Sequence, residues 1–129
     1  MVTMTDRNRE LLERLWPMDG QLALSAEAEH EMRAVDYVLE MPQSGERIVG
    51  RDTMRAMQQE YPNPPSIEVL RITGAGDHFV ALGRSDYGGD IFYVANVVEF
   101  RDGRIARETR IYGSPFDPPQ WRSKYADQP

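Results

Sequence analysis

Apolar residues recur every three to four positions early in the chain and at nearly every second position later, so helices precede strands. Over residues 5–16, Leu11, Leu12 and Leu15 stand among Asp6, Arg7, Arg9, Glu10, Glu13 and Arg14, the spacing of one apolar helix face. Pro17 and Gly20 punctuate the chain there. A second helix is predicted over residues 21–33, with Leu22, Ala26, His30 and Arg33 on one side. Tyr37-Val38-Leu39-Glu40-Met41 is strand-like and stops at Pro42, which has no N–H to continue a ladder. Residues 43–46 form a turn and residues 48–50 a short return. Asp52 is positioned to cap a third helix, in which Met54, Met57 and Tyr61 share a face until Pro62, Pro64 and Pro65 stop it.

From Ser66 onward the pattern is an antiparallel meander. Strands over residues 66–73, 78–84, 91–101 and 104–112 are separated by turns at 74–77, at 88–90 and at Asp102-Gly103. This order of elements predicts an α+β fold in one domain over residues 1–129. The strand from Ile91 to Phe100 is apolar on both alternating sides, with Asn96 the polar exception on its own side. A sheet with one wet face alternates more cleanly, so both faces are expected to be covered, one by helices and the other by a second subunit. A homodimer follows as an expectation. Residues 113–129 are rich in proline and are expected to pack over the surface as a tail, pinned by Phe116 and Trp121.

Composition narrows the function classes. The 129 residues carry a formal net charge of −6, which argues against nucleic acid as a partner. The absence of cysteine removes disulfides, zinc thiolates and a cysteine nucleophile. The polar start from Met1 to Arg9 is unlike a secretory signal, and no apolar run reaches the roughly 20 residues that cross a bilayer. A cytoplasmic protein without membrane partners is the resulting expectation. His30 and His78 are far apart and lack a partnered carboxylate cluster, so no metal site is predicted. Gly74-Ala75-Gly76 leads into another strand rather than a helix, unlike a phosphate loop. No cofactor is implied.

Three segments carry a family resemblance: residues 35–42 with the strand ending at Pro42, Gly50-Arg51-Asp52 opening a helix, and Phe100-Arg101-Asp102-Gly103-Arg104-Ile105 before the last strand. In this order they resemble the nuclear transport factor 2-like superfamily, which includes ketosteroid isomerases and SnoaL-like polyketide cyclases. The resemblance implies a cone-shaped, curved mixed or antiparallel sheet with about three helices over its concave face, a cystatin-like roll. It also implies a site that departs from the steroid isomerases. Their proton-shuttling aspartate falls at Met41, which accepts no proton, and the first helix here lacks their tyrosine. The aspartate of their oxyanion hole falls at Asn96, whose amide donates a hydrogen bond without a shifted pKa. SnoaL-like cyclases draw acid–base groups from the last two strands, where this chain has Glu108 and Asn96.

Alternation along the strands sets a pocket of Val94, Asn96, Val98, Glu108, Arg110 and Tyr112, with Tyr37 and Met41 contributed by the first strand. Glu108 is the acid–base candidate, since an apolar cavity raises a carboxyl pKa toward neutrality. The alternative is a structural ion pair with Arg110. A third role keeps both, with Arg110 binding a carboxylate or enolate of the ligand. Asn96 and Tyr112 are candidates for holding a developing oxyanion, or else a buried amide and a space-filling ring. Tyr93, Glu40 and Glu99 fall on the opposite face, His30 can reach the cavity from the second helix, and His78 sits at a turn. The chemistry expected is cofactor-independent isomerisation, cyclisation or dehydration of a small, largely apolar carbonyl compound. A non-catalytic ligand-binding or dimeric interaction module is the other reading.

Overall fold

The computed structural model describes residues 2–16, 24–61 and 66–127, with the backbone alone at residue 66. Helix α1 (Met4–Leu15) opens with a reciprocal cap: Thr3 accepts from the Asp6 N–H while the Asp6 carboxylate accepts from the Thr3 N–H. It buries Leu12 and Leu15. Helix α2 (Ala26–Glu31) is shorter than its alanine–glutamate run predicts. Ser25 caps its start, and Met32 is its C-cap. The expected first turn over residues 21–23, Pro17, Gly20 and the three prolines at 62–65 lie outside the described residues.

Strand β1 (Arg33–Met41) therefore begins earlier than expected, and Arg33 belongs to the sheet, not to the helix. The reason lies in its partner: the Ile105 N–H donates to the Met32 carbonyl and pulls this segment into an extended ladder. Strand β2 (Glu46–Val49) returns antiparallel to β1. Helix α3 (Arg51–Glu60) follows, capped by Gly50 at φ +93 rather than by Asp52, which sits one step inside the first turn. Met54 enters the core, whereas Met57 and Tyr61 stay exposed.

Strands β3 (Ser66–Ala75), β4 (His78–Tyr87), β5 (Asp90–Arg101) and β6 (Arg104–Gly113) form the meander. The six strands lie in one curved, unclosed mixed sheet of order β2-β1-β6-β5-β4-β3, with β1 parallel to β6 and all other neighbours antiparallel. The α+β expectation holds. Leu12, Leu15, Tyr37, Leu39, Met54, Phe79, Val98, Phe100 and Ile105 pack as one core between the helices and the sheet, with Phe79 and Phe100 edge to face at 5.8 Å. On the outer face Val80, Tyr93, Val97 and Ile111 remain exposed. Beyond β6, Phe116, Trp121 and Tyr125 are 78%, 70% and 77% exposed. The aromatics expected to pin the tail therefore do not anchor it to this chain. No helix among the described residues is long and apolar enough to cross a membrane.

Candidate functional site

The central pairing of β1, β6 and β5 brings four of the predicted residues together. Leu39 stands opposite Glu108, and Val98 opposite Glu108 on the other flank, so the carboxylate points into the concave face from the middle of the sheet. Glu108 is fully buried. Its Oε1 accepts from Asn96 Nδ2 at 3.1 Å, and its Oε2 accepts from Arg110 at 3.0 Å and from the Tyr37 hydroxyl. Each donor follows from strand geometry: Arg110 is the same-face neighbour two residues along β6, and β5 and β1 flank it on either side.

The electrostatics follow from these contacts. Burial pushes the Glu108 carboxyl up, but Arg110, Arg33 and the hydrogen bonds from Tyr37 and Asn96 together hold it below the usual carboxylate value. Burial, and next the Glu108 charge, raise the Tyr37 phenol well above its usual range, so Tyr37 is a neutral donor. Arg110 is raised as well: burial opposes its charge and Glu108 more than restores it. Of the roles open to Glu108, ion pairing with Arg110 is what this geometry displays. The Arg110 side chain retains 19% exposure, unlike the carboxylate it pairs with.

A second layer was not anticipated from the sequence. Arg33 is buried with its guanidinium 5.0 Å from the Tyr37 ring centroid, and it donates to Gln58 Oε1 at 3.1 Å. Gln58 in turn donates to Glu29 Oε2 at 2.7 Å. Glu29 is half-buried, and burial raises its carboxyl above the usual value despite Arg33, Gln58 and Arg110. Sequence reading missed Glu29 because alternating acids in Ala26–Glu31 look like a solvated helix face. The available signal was its spacing of four from Arg33, a residue itself misassigned to the helix.

The remaining predicted residues are distributed around this cluster. Val98 is core, Met41 is half-buried against the core, and Val94 and Tyr112 are half-buried register partners further along β5 and β6. The Tyr112 backbone is held by the Gln43 amide. Burial raises the Tyr87 phenol, with Tyr112 and Tyr61 close enough to add to the effect. His30 is buried on α2, but its Nε2 meets Asp52 at 2.7 Å. Glu40 pairs with Arg107 and Arg47 on the outer face, and His78 is exposed near Glu99. Among the described residues, Glu27, His30 and Glu31 are the one group with ligand atoms close enough for a metal. Both acids are exposed and His30 is committed to Asp52, so we read a surface charge cluster. A hollow of about 600 Å³ runs along α1 between Arg7, Arg14 and Asp102, away from Glu108.

The model of the SnoaL-like domain family matches residues 23–108. Among solved structures, a nuclear transport factor 2-like protein of unknown function from Burkholderia xenovorans is 34% identical, with 95% of each chain covered and a TM-score of 0.84. A candidate ketosteroid isomerase from Kribbella flavida is 24% identical over 99% of this chain and 93% of its own, with a TM-score of 0.82. A candidate SnoaL-like polyketide cyclase from a Jannaschia species is 14% identical over 87% and 89%, with a TM-score of 0.67. These last two likenesses establish the fold alone. No curated protein matches the chain.

Proposed function

The chain belongs to the SnoaL-like domain family, and from that premise we propose that it binds a small, largely apolar carbonyl compound on its concave face and moves a proton on it without a cofactor. Isomerisation, cyclisation and dehydration all pass through an enolate-like species. The reading rests on one observation: a fully buried carboxylate, held by three donors, orients an arginine that keeps part of its surface open. A developing oxyanion needs a fixed cation, and the exposed part of Arg110 offers one. Arg110 holds the oxygen, Glu108 and Tyr37 keep Arg110 in place, and Val94 and Tyr112 line the apolar wall.

The probe for this site is 2-naphthol, an apolar molecule whose naphtholate mimics an enolate. Its fluorescence should shift toward the naphtholate on saturable binding. Arg110→Lys keeps a cation beside Glu108 but loses the planar fork, and should weaken binding about tenfold or more. Absence of saturable binding, or an Arg110→Lys affinity equal to the unaltered protein's, would sink the proposal. The non-catalytic reading gains support from the sealed position of Glu108. It predicts naphthol binding with no turnover of any enolisable ketone.

The same proposal includes a homodimer, formed across the outer face where Val80, Tyr93, Val97 and Ile111 are exposed beside the ion pairs of Glu40 with Arg47 and Arg107.

A further inference from the structure

We infer that Glu29 on α2, not Glu108, is the proton carrier of this site: its half-buried carboxylate is fixed by Gln58, across a hydrogen-bonded chain from the Arg33–Tyr37 stack that backs Glu108 and Arg110. The inference deepens the function proposed above and rests on it. Glu108 is unsuited to the task on geometry alone. It has no exposed surface, and both oxygens are taken by donors. Among the described residues Glu29 accepts one hydrogen bond, at Oε2, and unlike Glu108 it keeps part of its surface exposed.

The groups that act on Glu29 come from every neighbouring element. Gln58 on α3 donates to it, Arg33 on β1 and Arg110 on β6 attract its negative charge, and Glu108 on β6 repels it. Burial outweighs the attraction, which makes Glu29 a stronger base than an ordinary glutamate. Two carboxylates in one site are thus driven apart, Glu108 kept ionised and Glu29 made basic, which is how paired acids acquire separate roles.

The step balances without a further reactant. Glu29 takes a proton from the carbon beside the carbonyl, and the C–H electron pair becomes the enolate double bond. The carbonyl π pair moves onto the oxygen facing Arg110. Return of the proton from Glu29 to the same carbon gives back the substrate, and in deuterated water, where the Glu29 carboxyl trades that proton for a solvent deuteron before returning it, deuterium is left there. Return to a conjugated carbon gives an isomer. Gln58 is a positioning residue, since it touches Glu29 and not the reacting carbon.

The experiment is deuterium exchange into 4-phenyl-2-butanone, followed by NMR at a ketone concentration that displaces bound 2-naphthol. The unaltered protein should accelerate exchange at the carbons beside the carbonyl, with a rate that rises with pH through a midpoint above 4.5, the usual glutamate value. Glu29→Gln should slow exchange by about a hundredfold or more while naphthol still binds saturably, at least as tightly as to the unaltered protein because a negative charge near Arg110 is lost. Glu29→Asp should recover part of the rate. Gln58→Met removes a donor that favours the ionised form, so the midpoint should move upward. Exchange that survives Glu29→Gln but is lost in Arg110→Lys would overturn this inference and leave the proposed function standing. Ketone that displaces naphthol yet undergoes no accelerated exchange would overturn both the inference and the catalytic reading.

Discussion

At the scale of single residues, Glu108 anchors the polar interior, because Arg110, Tyr37 and Asn96 all spend a donor on it. Removing one member of a buried pair leaves the other charge uncompensated. Glu108→Gln should therefore lower stability by about 3 kcal/mol, measured by urea unfolding at neutral pH. The pH dependence separates the two carboxylates by sign. The folded Glu108 carboxyl lies below the usual 4.5, so its contribution is present above that value and is lost as pH falls through the folded one. Glu29 is raised, so its contribution is present below 4.5 and is lost as pH rises through its folded value. Urea midpoints across pH 3–8 should lose the acid-side decline in Glu108→Gln, and Glu29→Gln should gain stability on the neutral side. Alternation along β5 and β6 made Glu108, Asn96 and Arg110 legible as same-face neighbours in the sequence. Tyr37 was placed on the same wall, but its hydroxyl bond to Glu108 was not foreseen, because a parallel β1–β6 register leaves no local trace.

At the scale of elements, the meander was readable because each strand is bounded by glycine or aspartate turns, and the helices less so. Residues 26–33 contain good helix formers throughout, yet the ladder to Ile105 recruits Arg33 into a strand, a tertiary contact that propensity cannot register. Asp52 has the residue type of a cap, but Gly50 takes the position because only a positive φ turns the chain there. The β3–β4 connection illustrates how two nearby glycines differ. A Cβ at Gly74, φ +139, would lie 2.2 Å from the His78 carbonyl oxygen and 2.6 Å from Phe79 Cα. At Gly76, φ +63, it would meet nothing within 4 Å. Gly74→Ala should cost about 3 kcal/mol or more, and Gly76→Ala only about 1 kcal/mol, in the same urea assay.

At the scale of the whole molecule, the outer face of the sheet presents Val97 and Val80 as register partners, flanked by Tyr93 and Ile111. Val97→Arg puts a charge at the centre of that patch. Sedimentation at micromolar concentration should give a dimer for the unaltered protein and a monomer for this variant, and two identical profiles would remove the dimer proposal. The parallel pairing of β1 with β6 has a different kind of consequence, in the order of events during synthesis. Tyr37 and its partner Glu108 are 71 residues apart, and β6 is the last of this sheet's six strands to leave the ribosome. Until it does, β1 and β2 have no route into the main sheet, the Tyr37 hydroxyl lacks its acceptor on Glu108, and the hairpins of β3, β4 and β5 stand alone. Closing so long a loop is slow compared with forming the hairpins. The interior of this protein is thus a clasp fastened by its final strand, and any stall before residue 104 leaves a nascent chain with helices, hairpins and no site.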